Sequence, residues 1–163
     1  MKKYLLLLLL AVAGISSCKK SSDDATAAAT AATAAAQAKT DDATIQAYLT
    51  ANNITATKLS SGLYYTVVTP GTGAYPTASS TVTVNYTGYL MDGTIFDSGK
   101  SFQSGISATS SIIEGWKEGI PHINLGGRIQ LFIPSALAYG TTAQAKIPAN
   151  SCLIFTIDLI GLN

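Results

Sequence analysis

The sequence predicts an α+β domain in which about five antiparallel strands form a twisted sheet wrapped around one short α-helix. An export leader, a flexible tether and a short N-terminal helix precede it. Three observations carry this. Thr81 to Tyr89 alternates without a break, with Val82, Val84 and Tyr86 on one face and Thr81, Thr83, Asn85 and Thr87 on the other. That is the period-two pattern of a half-buried strand. Ile112, Ile113, Trp116 and Ile120 form a helical stripe of a little over two turns. Further β-branched and aromatic runs recur between Gly, Pro and Asp-Gly turn signals, and one sheet buries its apolar face most economically against that one helix.

The elements follow in order. Lys2 and Lys3 precede an apolar run of 12 residues, Tyr4 to Ile15. A bilayer-spanning helix needs roughly 20, so the run reads as the core of an export signal. It ends Ile15-Ser16-Ser17-Cys18, which resembles the lipobox of bacterial lipoproteins. The resemblance implies a signal peptide over 1–17, lipidation of Cys18, and anchoring in the cell envelope, at the outer membrane, periplasmic or surface-exposed. Two or more acyl chains anchor stably where a single chain does not. Residues 18–57 then form the tether. Its Ala25–Ala36 stretch holds nine alanines and three threonines, helix-favouring but with nothing to bury, and is expected to be partly helical at most. Asp41-Asp42 ahead of Ile45, Tyr48 and Leu49 predicts a short amphipathic helix over about 42–52, stopped by Asn52-Asn53.

Residues 58–163 form the β-rich domain, enough chain for one core. Leu63–Val68 is a strand closed by Pro70-Gly71. Asp92-Gly93 marks a hairpin turn after the alternating strand, with a short return strand over Thr94–Asp97. Arg128–Ile133 and Cys152–Ile160 are two more strands, the second apolar on both faces at its start. Cys152 is expected to be a buried small hydrophobe, with no disulfide to a lipidated Cys18.

Composition removes several function classes. The chain has 163 residues, 47% hydrophobic and 12% charged, with a net charge of +1. No basic surface points to nucleic acid. Two cysteines and one histidine cannot build a Cys- or His-rich zinc site, and they make a histidine-based triad hard to assemble. No metal and no cofactor are implied.

Five segments carry a second resemblance. Val84-Asn85-Tyr86-Thr87-Gly88-Tyr89-Leu90, Asp92-Gly93-Thr94-Ile95-Phe96-Asp97-Ser98, Ile112-Ile113-Glu114-Gly115-Trp116-Lys117-Glu118-Gly119, Leu137-Ala138-Tyr139-Gly140 and Ile147-Pro148-Ala149-Asn150-Ser151 stand in the order and spacing of FKBP-type peptidyl-prolyl cis-trans isomerases. The domain resembles that family through most of 58–163. The resemblance implies an FKBP-like fold and isomerisation of X–Pro bonds in exported or envelope proteins. The alternative is a non-catalytic chaperone or peptide-binding scaffold on the membrane. It implies Trp116 as the floor of an apolar pocket, with Tyr86, Phe96, Ile112, Ile113 and Phe155 as walls. Asp97 and Tyr139 would be its polar groups, the Ile113 N–H a donor to a substrate carbonyl, and Ile147 part of the rim. Proline-containing polypeptides are the implied substrates and macrolides the implied ligands. Two segments depart from the family's pattern. Gly99–Ser111 lacks its usual aromatic-bearing sequence, leaving Phe102 or Ile106 to supply a wall, and Gly140–Lys146 is polar, without the usual Gly-Pro content.

Overall fold

A computed structural model describes residues 21–163. The expected signal peptide over 1–17 and the expected lipidation site Cys18 lie outside the described residues. The chain divides into two compact units, 1–33 and 34–163. In the first, the described residues are helical, and Thr30 and Thr33 turn their hydroxyls back onto the carbonyls of Thr26 and Ala29.

Helix α1 runs Ser21–Ala51, far longer than the short helix expected over 42–52, and it takes in most of the expected tether. The physical reason is cooperativity. The costly step in helix formation is nucleation, and a segment already fixed by packing removes it. Alanine then propagates the helix at the lowest cost of any residue. The helix stops where Asn52-Asn53 predicts. Asn53 takes φ 54°, Ile54 N–H reaches Leu49 O at 2.9 Å and Asn53 N–H reaches Thr50 O at 3.2 Å, a Schellman cap.

Strands β1 (Thr57–Lys58), β2 (Tyr64–Thr69), β3 (Thr81–Leu90), β4 (Ile95–Gly105), β5 (Arg128–Ile133) and β6 (Leu153–Leu162) form one antiparallel sheet in the order β1-β2-β5-β6-β3-β4. All five expected strands are present, and the two-residue β1 adds a sixth. The short return strand expected over Thr94–Asp97 is instead the 11-residue β4. The β3–β4 hairpin turns through Asp92-Gly93, with Gly93 at φ 86° and Gly93 N–H bonded to Leu90 O at 3.0 Å.

Helix α2 (Glu114–Gly119), shorter than the expected stripe, continues as a 3-10 turn, Ile120–His122. It lies so close to β5 that Cβ atoms on Gly115 and Gly119 would stand 2.5 Å from Ile133 and 2.6 Å from Leu131. Only glycine admits that approach. The main core fills the space between α2 and the sheet, with Val82, Val84, Ile129, Leu131, Ile133, Phe155, Ile157 and Leu159 pointing inward. The opposite sheet face carries a second core, in which Ile45 and Leu49 of α1 meet Tyr64, Phe132, Cys152 and Ile154. This explains why β6 begins apolar on both faces: its start is sandwiched between α2's core and α1.

Candidate active site

The site lies on the α2 side of the sheet, over the exposed end of the main core. Trp116 enters it from the first turn of α2 and is 5% exposed. Three rings stand edge-on around the indole: Tyr86 of β3 at 5.0 Å and 78°, Phe155 of β6 at 5.2 Å and 87°, and Phe102 of β4 at 6.0 Å and 82°. Edge-to-face rings at such spacings attract through their quadrupoles and hold one another upright. Together with Asp97, Ser111, Ile112, Ile113 and Tyr139 they line a hollow of about 270 Å³. At its floor the indole Nε1 is buried and has no acceptor among the described residues.

Of the two residues the sequence leaves open for a further wall, Phe102 is the one that lines this hollow. Ile106 is buried in the main core instead. A bulge puts Phe102 there. Val84 pairs with Phe102 but Tyr86 pairs with Gly99, so β4 carries an extra residue, with Ser101 at φ 52° and its N–H held by Asn85 Oδ1 at 2.9 Å. Gly99 faces Tyr86 so closely that a Cβ would stand 2.6 Å from the ring.

The polar groups divide into engaged and free. Tyr86 donates its hydroxyl to Asp97 Oδ2 at 2.8 Å, and Ser98 N–H donates to Asp97 Oδ1 at 2.8 Å. Burial, then the Asp97 carboxylate, push the Tyr86 phenol up to about 12, so it stays a neutral donor fixed on Asp97. Tyr139, 38% exposed, makes no side-chain hydrogen bond among the described residues. Nor does any described acceptor engage the Ile113 N–H, which precedes α2 in extended conformation. Two free donors therefore border an aromatic cup.

Tyr86, Asp97, Ile112, Ile113, Trp116, Tyr139 and Phe155 are brought together around this one hollow. Phe96 and Ile147 are not. Phe96 stands edge-on behind Phe155 at 5.4 Å, and with Ile147 it lines an adjoining hollow of about 280 Å³ that shares only Asp97 and Tyr139 with the first. A polar hollow on the opposite sheet face, crossed by the Arg128–Asp158 ion pair, lacks any such aromatic enclosure.

A twisted antiparallel sheet wraps a short helix, and beside that helix opens an aromatic cup whose polar edge carries Asp97 and Tyr139. Residues 73–160 match the FKBP-type peptidyl-prolyl cis-trans isomerase family, and the chain belongs to it. The FKBP-type isomerase FkpA of Aeromonas hydrophila is 45% identical over 105 residues, covering 63% of this chain and 38% of that one. The outer membrane protein MIP of Legionella longbeachae is 41% identical over 132 residues, 77% of this chain and 56% of that one. The chain thus spans about half the length, or less, of these relatives. The crystal structure of FkpA from Escherichia coli superimposes with a TM-score of 0.66 at 34% identity, covering 86% of this chain and 69% of that one.

Proposed function

We propose that this chain is an active peptidyl-prolyl cis-trans isomerase for proline-containing polypeptides of the cell envelope, tethered through a lipid on Cys18. The observation that carries the activity is the Trp116 floor, walled by Tyr86, Phe102 and Phe155 with two free donors at its edge. The relatives' names and the lipobox-like Ile15–Cys18 support the envelope assignment.

The reaction breaks no covalent bond. Amide resonance sets a barrier of about 18–20 kcal/mol to rotation. The planar amide separates charge across O, C and N, and the twisted state has lost much of that separation. An aromatic cup that replaces water around the bond therefore favours the twisted state over the planar one. The prolyl ring rests on Trp116, and the Ile113 N–H holds a substrate carbonyl so that one side of the bond stays fixed while the other turns. The Tyr139 hydroxyl, on the same lining, is free to follow the moving carbonyl. Asp97 acts through Tyr86, holding that ring upright. Macrolides that offer an apolar ring to the same cup are expected to compete.

The test is cis-trans relaxation of a proline peptide with the full chain, beside Trp116→Ala and Asp97→Ala. Acceleration by the wild type that falls sharply in folded Trp116→Ala supports the proposal. No acceleration by folded wild type, over several residues before proline, overturns it and leaves a binding module.

A further inference from the structure

Asp41 stands outside the segments that carry the family resemblance, yet it is one of the most buried polar residues among those described, at 1% exposure. Its Oδ2 accepts from both the backbone N–H (2.8 Å) and the hydroxyl (2.7 Å) of Ser135, 94 residues away in sequence. Its Oδ1 accepts from Gln37 Nε2 at 2.7 Å, and its own carbonyl receives the Cys152 thiol at 3.8 Å. No cation pairs with it among the described residues. Burying a carboxylate is costly, and an apolar contact would hold a helix to a sheet equally well. The fork onto Ser135 does something an apolar contact cannot: it fixes one backbone unit in position and angle.

That unit begins the segment that delivers Tyr139. Ser135–Leu137 is a 3-10 turn directly after β5. The Ser135 carbonyl accepts Ala138 N–H at 3.0 Å and Gly140 N–H at 2.8 Å, clamping Tyr139 between its two neighbours. Gly140 O in turn accepts Asn150 N–H at 2.7 Å, which ties down the far side of the Ile147 loop. A continuous run of hydrogen bonds therefore leads from α1 to the backbone on either side of Tyr139, whose side chain lines the aromatic cup.

We propose that Asp41 is a positioning residue for the isomerase site, acting from the preceding helix through Ser135 on Tyr139. The inference rests on the reading of Tyr139 as a working group of the cup.

A double-mutant cycle on the full chain tests it, measuring kcat/KM for peptide isomerisation below the unfolding range of every variant. Asp41→Ala is expected to lose roughly tenfold, short of the roughly hundredfold that a misplacement of about 1 Å can cost. Because Asp41 acts through Tyr139, the Asp41→Ala/Tyr139→Ala double variant should lose no more than Tyr139→Ala alone. Asp41→Asn, which keeps an oxygen for Ser135, should restore most of the activity. Leu49→Ala, which loosens α1 two turns away without touching Ser135, should lower stability but leave kcat/KM within about twofold. Should Asp41→Ala fail to fold, the same cycle with Ser135→Ala serves. Additive losses, or unchanged kcat/KM in folded Asp41→Ala, overturn the proposal. Inert Tyr139→Ala overturns it together with the role given to Tyr139, and Trp116→Ala then shows whether the cup itself still stands.

Discussion

Replacing Ile45 by Ala measures whether the helix ahead of the family domain belongs to its folded unit. Ile45 is fully buried, in a cluster with Tyr64, Phe132 and Ile154. Truncation removes Cγ1, Cγ2 and Cδ1, and at about 0.8 kcal/mol per carbon the lost transfer energy is about 2.4 kcal/mol. The sheet beneath cannot collapse into the gap, so the cavity raises the loss toward roughly 3–4 kcal/mol, inside the range of about 2–5 found for such truncations. With a urea m-value of about 2 kcal/mol/M, the midpoint should fall by roughly 1.5–2 M. Trp116, the chain's one tryptophan, reports unfolding of the main core by fluorescence on the other side of the sheet. The exposed Thr44→Ala serves as control and should shift by no more than about 0.5 kcal/mol. An Ile45→Ala loss below about 1 kcal/mol would refute the docking of α1, because a helix resting loosely on the sheet has nothing to lose.

Other consequences follow from the same geometry. Burial, with lesser help from Asp41, pushes the Cys152 thiol from 9.0 up to about 12. In a Cys18→Ser chain, Cys152 should resist maleimide at pH 8 until urea unfolds it, and rapid labelling of the native protein would contradict its burial. The neutral Tyr86 phenol is held from 10.0 up to about 12, so its contribution to stability is complete below pH 10 and is lost as pH rises toward 12. Tyr86→Phe should flatten that part of the stability profile, and an unchanged slope would refute the assignment. Gly99→Val places a Cβ 2.6 Å from the Tyr86 ring. It should cost about 1–3 kcal/mol and lower isomerase activity by displacing Tyr86 from Asp97, and an unperturbed Tyr86 ring signal would count against this.

Much of the architecture is legible because local and long-range forces agree there. The alternation of Val82, Val84 and Tyr86 writes β3 directly, and Asn52-Asn53 and Asp92-Gly93 mark turns whose backbone φ values they suit. The doubly apolar start of β6 is visible in sequence, but the second core that accounts for it appears only once α1 is placed on the sheet. Elsewhere the signal is absent for physical reasons. Gly99–Gly105 has no alternation because β4 is a polar edge strand broken by the bulge at Ser101, so its length is hidden. Since a bulge shifts which residue faces the cup, Phe102 and Ile106 cannot be told apart before the register is known. The alanine-rich half of α1 has no amphipathic stripe, and its helicity follows from propagation alone. Asp41 reads in sequence as a favourable charge near a helix start, and only the fold brings Ser135 to it.

The most direct test of the account watches the proline bond itself turn over. Exchange spectroscopy on a peptide at cis-trans equilibrium, with a small fraction of the full chain added, reads catalysed interconversion between the two sets of proline signals. The account predicts exchange cross-peaks with wild type, and their loss or sharp weakening with folded Trp116→Ala. Exchange no faster than in the peptide alone with folded wild type, or undiminished exchange in Trp116→Ala, would contradict it.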